Sequence, residues 1–512
     1  MKRWKIITTH AVILGLCFAS VAPGSTAAAK AKKPALSQKT VTITKGKAKT
    51  IRLSNAKKQA KVTWKTNKKK VVRITAKKKN YCRVKGIKKG TATLTCKVKF
   101  HQKSYNLKCK IKVVEAPTIS TPSIVNTYKD IIPNIGAAVN YGSHSPRELR
   151  TPKTLSFIKK HFNSFTLENE MKPDNILGSA AKTLTVEQAK AKGYYIPENY
   201  QEATVPQLNF NEVDGALTVS AQNGLKMRAH TLVWHSQTPS WFFTKNYSGS
   251  SVVSTATMDA RLDFYIHNVM AHVMDKEKAL TGSAGSIVYA WDVVNEYLHR
   301  TSFGNYVWDS VYGNKGNSPT YVKKAFEIAY EMLKSYGVQE NVTLFYNDYN
   351  TYFGVQQTLN LVEFINKDEP AKICGGIGMQ SHVDVKVPTV KQYGDALEKF
   401  LASGYEIQIT ELDFTINFDT EGSSASYSYA DENETLNDQK KFVKNLMETI
   451  ITKQKNRDMT VNPKGITGIT LWGLCDSTSW RSPCEPLLFG KTIKVPKPAF
   501  FAFIEAAKVW NK

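Results

Sequence analysis

The sequence predicts an α/β protein in which a (β/α)8 barrel, or TIM barrel, follows a small all-β sandwich. The first observation is a sharp division of charge: residues 30–115 hold 29 basic residues and one acidic residue, whereas residues 116–512 hold 39 basic and 41 acidic residues. The second is that the basic segment contains short strands separated by turns, which is typical of a sandwich. The third is that the longer segment alternates short apolar runs with amphipathic helices, which is typical of a barrel.

The N-terminal segment predicts a signal peptide. Residues 1–5 contain three basic residues, residues 6–22 are mostly apolar, and small residues run through 25–29. We therefore assign residues 1–29 to a signal peptide and expect a secreted protein. A membrane-spanning helix, the alternative, needs a longer unbroken apolar run. We expect no transmembrane segment after cleavage, and a monomer.

The basic segment reads as seven short strands. They are residues 41–44, 50–53, 62–65, 71–75, 81–84, 91–100 and 105–114. Apolar side chains alternate with polar ones, many of them lysines, in the last two strands, so one face is expected to be core and the other a lysine surface. If residues 101–104 form the hairpin loop, Cys96 lies opposite Cys109. A cross-strand disulfide and two buried thiols are the alternatives for this pair.

The strand pattern of residues 30–115, with the stretch 84–92 before the long hairpin, resembles bacterial immunoglobulin-like domains of group 2. That resemblance implies a spacer or adhesion role. The positive charge suggests an anionic cell-wall polymer, or uronic acid substituents on a polysaccharide, as a partner. A solvated lysine surface without a ligand is the alternative. Nucleic acid is not expected, because aromatic residues are not interleaved with the basic ones and export is predicted.

Residues 116–123 are rich in Pro, Ser and Thr and are interpreted as a linker, and residues 124–512 as the barrel. The candidate strands end near Ala138, Thr166, Val233, Asn295, Tyr346, Gln380, Glu411 and Trp472. Helical patterns between them include residues 321–336, 356–366, 390–402 and 437–452. In this fold the functional residues lie at the carboxyl ends of the strands.

Two glutamates close such runs. Glu296 ends the stretch 291–296, and Glu411 follows the apolar run at 407–410. Two carboxylates at the mouth of one barrel suit glycosidic cleavage, in which one protonates the leaving oxygen and the other attacks the anomeric carbon or activates a water. Either glutamate alone would more often be a solvated residue of the rim.

Seven sequence blocks in order resemble glycoside hydrolase family 10 over about residues 124–510. They are residues 162–172, 230–235, 291–296, 346–350, 376–382, 410–413, and 472–473 with Trp480. The resemblance implies an endo-1,4-β-xylanase that acts on xylan and xylo-oligosaccharides with retention of configuration. No metal-ligand spacing or phosphate-binding loop stands out, so hydrolysis without a cofactor is predicted.

The same resemblance implies roles for individual residues. Glu296 matches the general acid/base and Glu411 the nucleophile, while His382 contacts the nucleophile and Asp413 orients His382. The positions that match substrate-binding residues are Glu168, Asn169, Lys172, His230, Trp234, Asn295, Gln380, Tyr349, Trp472 and Trp480.

Two further regions of the barrel, and the function itself, have alternative interpretations. Residues 179–210 form a long second loop, which extends the cleft or is a packed surface excursion. Cys475 and Cys484 flank Trp480 and are candidates for a disulfide. The alternatives to a xylanase are a wall-bound adhesion protein with an inactive barrel, and a β-1,4-glucanase on the same barrel.

Overall fold

The computed structural model describes residues 32–115, 120–142, 144, 146–301, 307–316, 318–418 and 434–512. The chain divides into two compact units, Met1–Thr118 and Ile119–Lys512. The predicted signal peptide and residues 116–119 of the predicted linker lie outside the described residues. No helix in the described part of the chain is long and apolar enough to cross a membrane.

The first unit contains eight strands in two sheets. They are β1 (Ala35–Leu36), β2 (Thr40–Thr44), β3 (Ala48–Ser54), β4 (Lys61–Thr66), β5 (Val72–Lys77), β6 (Tyr81–Gly86), β7 (Gly90–Phe100) and β8 (Lys103–Val114). One sheet has the order β1-β3-β6-β5 and the other β2-β8-β7-β4. Both sheets contribute to one core, with Ile51 and Val84 from the first and Trp64, Leu94 and Ile111 from the second.

The β7–β8 hairpin differs from its predicted register. Its turn consists of two residues rather than four, so Phe100 lies opposite Lys103, and Cys96 lies opposite Leu107 instead of Cys109. The predicted pairing of the two cysteines is therefore wrong by two residues, and both are buried free thiols. Because side chains alternate with a period of two, this shift leaves the apolar and lysine faces unchanged.

The second unit is a closed barrel of eight parallel strands. They are β9 (Asn134–Val139), β10 (Ser164–Leu167), β13 (Lys226–Trp234), β14 (Val288–Asn295), β15 (Thr343–Asp348), β16 (Gly376–Met379), β18 (Glu406–Thr415) and β19 (Ile466–Leu471). Each strand pairs with the next, and β19 pairs with β9 to close the barrel. The predicted (β/α)8 fold is confirmed. A short hairpin of β11 (Thr183–Thr185) and β12 (Thr204–Pro206) lies outside the barrel, and β17 (His382–Asp384) pairs with the end of β18.

Helices connect the barrel strands. They are α1 (Ile124–Tyr128), α2 (Pro152–His161), α3 (Pro173–Leu177), α4 (Val186–Ala191), α5 (Asn211–Asn223), α6 (Thr255–Thr281), α7 (Val307–Tyr312), α8 (Thr320–Ser335), α9 (Val355–Asn366), α10 (Val390–Ala402), α11 (Leu436–Asn456) and α12 (Pro498–Ala506). The bounds of α10 agree with the predicted helix. Its start is fixed by a capping box, in which Thr389 and Gln392 satisfy backbone N–H groups of the first turn.

Two regions near the rim of the barrel bear on the sequence predictions: the end of strand β18 and the loop 179–210. Strand β18 continues four residues past Glu411 because β17 pairs with its residues 413–415, so Glu411 lies within the strand rather than at its end. The long loop 179–210 packs against α6: Asn268 accepts a hydrogen bond from the backbone of Tyr195 at 2.9 Å, and Arg261 pairs with Glu202. These contacts favour the packed excursion over an extension of the cleft.

Candidate active site

Glu296 follows β14 in a left-handed backbone conformation, with a φ of 59°. Its backbone N–H donates to the carbonyl oxygen of Asn347 at 2.8 Å. The side chain is 7% exposed, and each carboxyl oxygen has one neutral donor. Gln380 Nε2 donates to Oε1 at 2.7 Å, and Trp234 Nε1 donates to Oε2 at 2.9 Å. The carboxyl group is thus buried, and both of these donors are uncharged.

Glu411 is also buried, at 5% exposure, but its donors differ. Asn347 Nδ2 donates to Oε1 at 2.9 Å, and His382 Nε2 lies 3.1 Å from Oε2. Its backbone N–H donates to the carbonyl oxygen of Gln380 at 2.9 Å. A histidine that can be positively charged therefore bonds directly to this carboxylate.

Asn347 and Gln380 each contact both glutamates, one through the backbone and the other through the side chain. This crossed arrangement follows from strand order, because β14, β15, β16 and β18 are successive neighbours in the barrel. It fixes the two carboxyl groups relative to each other. The sequence interpretation gave Asn347 no role; its only signal was a polar residue near the end of β15, inside a block that resembles the family.

The surroundings drive the pKa values of the two carboxyl groups apart. Burial, together with the negative charges of Asp348 and Glu411, raises the pKa of Glu296 to about 7 against its two hydrogen bonds. Burial would also raise the pKa of Glu411, but the hydrogen bond from His382 and the positive charges nearby, including Lys172, outweigh it and lower that pKa to about 2. Near neutral pH, Glu411 is ionised while Glu296 can still carry a proton.

His382 connects Glu411 to Asp413. Its Nδ1 lies 2.9 Å from Asp413 Oδ2, which is fully buried. Although burial lowers the pKa of His382, the adjacent carboxylates, Asp413 first, raise it overall. Trp480 Nε1 donates to the same Asp413 oxygen at 3.2 Å, and Arg481 donates to the other at 3.4 Å. Asp413 thus orients the imidazole and part of the eighth loop together.

A polar group of residues lies on the other side of Trp234. Lys172 is 6% exposed, and its Nζ donates to Gln237 Oε1 at 2.9 Å and lies 5.0 Å from the Trp234 ring. Burial lowers the pKa of Lys172, while the charges of Glu411, Glu168 and Glu296 oppose this. The ammonium group is therefore electrostatically linked to both candidate catalytic carboxylates.

Three more predicted residues belong to this polar group. Glu168 Oε2 accepts from Asn140 Nδ2 at 2.8 Å, and Asn169 Nδ2 donates to Asn140 Oδ1 at 3.4 Å. His230 Nδ1 lies 2.8 Å from Asp292 Oδ2, and Asp292 also pairs with Arg228. Asp292 therefore fixes the orientation of the His230 ring through its Nδ1.

The remaining predicted residues surround the two glutamates. Trp472 lies edge-to-face between His230 and His382, at ring distances of 5.7 and 6.2 Å. Asn295 Oδ1 accepts from Asn347 at 2.9 Å and from Gln380 at 3.2 Å, which orients its carboxamide. Tyr349 stacks on His299 at 4.0 Å.

The predicted disulfide in the eighth loop is absent: Cys475 and Cys484 are buried free thiols. Their sulfur atoms have separate neighbours. Cys475 Sγ lies 3.6 Å from Thr478 Oγ1, and Cys484 Sγ lies 3.9 Å from the carbonyl oxygen of Asn417. Trp480 is held by the bond to Asp413 instead.

Among the described residues, one group of side chains has the composition and spacing of metal ligands. Candidate ligand atoms of His144, Glu170 and Glu212 lie within 4.8 Å of one another. Glu170 Oε1 already accepts from the backbone N–H groups of Tyr141 and Gly142, at 2.6 and 3.1 Å, and so holds the segment after β9. These three residues are given no role in catalysis.

A barrel with two buried carboxyl groups whose pKa values are shifted in opposite directions has the pair of groups that glycosidic cleavage requires. The family model described as "Glycosyl hydrolase family 10" matches residues 123–506. The chain belongs to glycosyl hydrolase family 10, and the family predicted from the sequence is confirmed.

Known relatives carry related names. "Endo-1,4-beta-xylanase A" of Butyrivibrio fibrisolvens is 44% identical over 360 residues, which cover 70% of this chain and 79% of the relative. "Endo-1,4-beta-xylanase B" of the same organism is 33% identical over 381 residues, 73% of this chain and 51% of the relative. A solved structure of an intracellular xylanase from Thermoanaerobacterium saccharolyticum, in complex with xylotriose, has 28% identity and a TM-score of 0.56, covering 75% of this chain and 99% of that chain.

Proposed function

We propose that this protein hydrolyses internal β-1,4-xylosidic linkages of xylan and xylo-oligosaccharides, with retention of anomeric configuration, as an endo-1,4-β-xylanase. The observation that carries the proposal is the pair of buried carboxyl groups, Glu296 and Glu411, that Asn347 and Gln380 both contact through crossed hydrogen bonds. The opposite shifts of their pKa values fit an acid and a nucleophile. Membership of family 10 and the names of the relatives support the same activity and substrate.

The first step is attack by the Glu411 carboxylate on the anomeric carbon. The glycosidic bond breaks as the Glu296 carboxyl group gives its proton to the leaving oxygen, and a glycosyl ester forms on Glu411. That ester removes the negative charge of Glu411, which is one cause of the raised pKa of Glu296. The pKa of Glu296 therefore falls, which favours its ionised form. Glu296 then acts as a general base and takes a proton from the water that attacks the ester and releases Glu411.

Three neighbours position these groups. His382, held by Asp413, donates to the Glu411 carboxylate and keeps it ionised. Asn295 is assigned to the 2-hydroxyl of the sugar at the cleaved bond, a contact that strengthens in the transition state. Its carboxamide is oriented for this by two donors to its oxygen.

The other residues are assigned to sugar binding. Gln380 binds at the cleaved sugar. Glu168, Asn169, Lys172 and His230 contact sugars on the non-reducing side, and Tyr349 lies on the leaving-group side. The indole rings of Trp234, Trp472 and Trp480 form aromatic walls against the pyranose faces. A close wall leaves no space for an exocyclic hydroxymethyl group, which favours xylose over glucose. A β-1,4-glucanase, whose substrate carries that group, is the second candidate.

The pH dependence of kcat/KM should reflect both carboxyl groups. Activity requires Glu411 ionised, so it is lost as pH falls towards about 2, and Glu296 protonated, so it is lost as pH rises through about 7. The Asp348→Asn variant should move the basic limb to lower pH, because the charge of Asp348 raises the pKa of Glu296. Initial rates across the pH range, with stability measured in parallel, test this; an unmoved or raised basic limb would contradict it.

The Asn347→Ala variant should lower kcat/KM by about 10²-fold, because it removes the donors to Glu411 Oε1 and Asn295 Oδ1. Thr410→Val is the matched control. It removes only the hydroxyl that donates to Asn347 Oδ1 at 2.6 Å, so its loss should stay below about tenfold. Rates on xylotetraose and thermal unfolding of both variants give the comparison, and equal losses in the two would refute a direct role for Asn347.

For the N-terminal region we propose a signal peptide at residues 1–29, secretion, and an immunoglobulin-like unit at residues 30–115. The support is the sequence pattern of the first residues and the two four-stranded sheets that share one core. The excess of lysine supports an anionic cell-wall polymer as a partner of this unit.

The activity is tested by measuring reducing-sugar release from xylan, cellulose and mannan in parallel, with Glu411→Gln as the inactive control. Release from xylan that disappears in the variant supports the proposal, and proton NMR of the first product formed should show the β-anomer. Activity confined to cellulose would replace the substrate and keep the mechanism. Xylan binding without any hydrolysis would favour the adhesion alternative.

A further inference from the structure

One face of the N-terminal unit carries an ordered array of lysines. It is the outer face of the sheet β2-β8-β7-β4, and we call it the lysine face. Its lysines are Lys61, Lys65, Lys97, Lys99, Lys108, Lys110 and Lys112, all of them exposed. They share one face because each lies at a position that alternates with the buried side chains of its strand.

Threonines flank two lysines of β8 on both sides, whereas Lys61 and Lys99 lie directly opposite each other on β4 and β7. Lys110 lies between Thr40 of β2 and Thr93 of β7, and Lys112 lies between Thr42 and Thr91 in the same way. Along β8, Lys108, Lys110 and Lys112 follow one another at intervals of about 6.8 Å, the distance of two residues in a strand. The face is therefore a row of ammonium groups flanked by hydroxyl groups, and it is presented on a rigid sheet.

Within residues 32–115, no carboxylate neutralises this array. Residues 32–115, which the structure describes without a gap, contain one acidic residue, Glu115, and it pairs with Lys45 at 3.2 Å. Lys45 lies after the end of β2 and does not belong to the lysine face. Seven like charges on one face repel one another, which an anionic ligand would relieve.

Aromatic side chains are missing from the outward positions of this sheet in residues 32–115. Trp64 is buried in the core, and Tyr105 alternates with the outward lysines and so belongs to the inner face. Stacking on sugar rings, the usual way to bind a neutral polysaccharide, is therefore not available here. The face can bind by charge attraction and by hydrogen bonds from lysine and threonine to carboxylate, phosphate and hydroxyl groups.

We propose that the lysine face binds a linear anionic polysaccharide along the β8 row. The inference rests on the proposed function for the class of ligand, because a protein that degrades a polysaccharide benefits from being held on a polysaccharide matrix. The anionic groups of such a polysaccharide are the carboxylates of uronic acids. Flexible lysine side chains give recognition of charge density rather than of one sugar sequence.

The test compares two variants of the full chain with equal net charge. One replaces Lys97, Lys108, Lys110 and Lys112 with glutamine, on the lysine face. The matched control replaces four exposed lysines in turns of the same unit, Lys57, Lys69, Lys70 and Lys88. Titration calorimetry at low salt measures binding of polygalacturonate, which is a carboxylate polymer, of poly(glycerol phosphate) teichoic acid, and of a neutral arabinoxylan whose hydrolysis is prevented by the Glu411→Gln background.

We expect the intact chain to bind polygalacturonate. The lysine-face variant should bind it at least about tenfold more weakly, and the control variant less than about threefold more weakly. Binding should weaken as salt rises, because exposed charges are screened.

Three results would overturn the inference. They are no binding of polygalacturonate at low salt, whether or not the teichoic acid binds, equal losses in the two variants, and binding of a DNA duplex as tight as that of polygalacturonate at the same salt. Hydrolysis of xylotetraose is measured separately, with the same two sets of lysine substitutions in the chain that retains Glu411, and we expect it to equal that of the unmodified chain. Failure of the proposed function would appear only in that assay, and failure of the lysine face only in the binding assay.

Discussion

Replacing Glu411 with glutamine is expected to lower kcat/KM on xylan by about 10⁵-fold, an effect of the size seen when the nucleophile of a covalent mechanism is removed. Glutamine has the same shape, and its amide oxygen can still accept a hydrogen bond from His382 or Asn347. What it lacks is the negative charge and the ability to form the glycosyl ester. The loss should therefore appear in the rate with little change in the fold.

Glu406→Gln is the matched control for this experiment. Glu406 is the first residue of the same strand, is 7% exposed, and accepts hydrogen bonds from Lys464 at 3.0 Å and Thr343 at 2.7 Å. Its replacement should lower thermal stability, because the buried carboxylate loses the charge that pairs with the half-exposed Lys464, and leave kcat within about threefold. Initial rates on xylan and unfolding curves of both variants decide the matter. A similar loss of activity in both would show that the strand, and not the Glu411 carboxylate, had been damaged.

A second large effect is expected from Glu296→Ala, with a loss of about 10³-fold in kcat/KM on xylan, since a sugar leaving group needs its proton. A dinitrophenyl xylobioside does not, because dinitrophenolate leaves without protonation. With that substrate the first step should remain fast while hydrolysis of the ester slows, since no base activates the water. The ester should then accumulate, which lowers KM and gives a burst of phenolate.

Added azide provides the confirming measurement for this variant. It attacks the xylobiosyl ester without needing a general base, so it should raise the steady-state rate and give β-xylobiosyl azide as the product while the Glu411 carboxylate is released. The comparison of the two leaving groups is an internal control for folding. Equal losses on xylan and on the dinitrophenyl substrate would contradict the assignment of Glu296 as the acid.

The periodicity of apolar residues in the sequence was sufficient to predict the barrel. Each strand is a short apolar run and each following helix has its own amphipathic period, so eight units could be recognised from local information. Helix α10 was bounded correctly because its capping residues and its last apolar residue are both local signals. The two glutamates were found because each belongs to a block that resembles the family.

The register of the hairpin β7–β8 could not be predicted from such local information. The alternation of side chains fixed which face is buried, but it is the same for any register that differs by two residues. The length of the turn decided between them, and the turn formed with two residues. The predicted partner of Cys96 was therefore wrong while the predicted lysine face was correct.

The candidate site needed the tertiary structure for a related reason. Asn347 contacts Asn295 and Glu411, which are 52 and 64 residues away, and only the order of strands around the barrel brings them together. Likewise, β18 extends beyond Glu411 because a separate strand, β17, pairs with it.

The sequence by itself determined the types of secondary structure, the order of the strands and helices, the buried faces and the two glutamates, because these depend on the periodicity and identity of neighbouring residues. Tertiary structure alone decided the register, the hydrogen bonds that Asn347 and Gln380 make to both glutamates, and the raised pKa of Glu296. A pKa depends on burial and on charges within a few ångströms, and here those come from Asp348, His382 and Lys172 on different segments of the barrel.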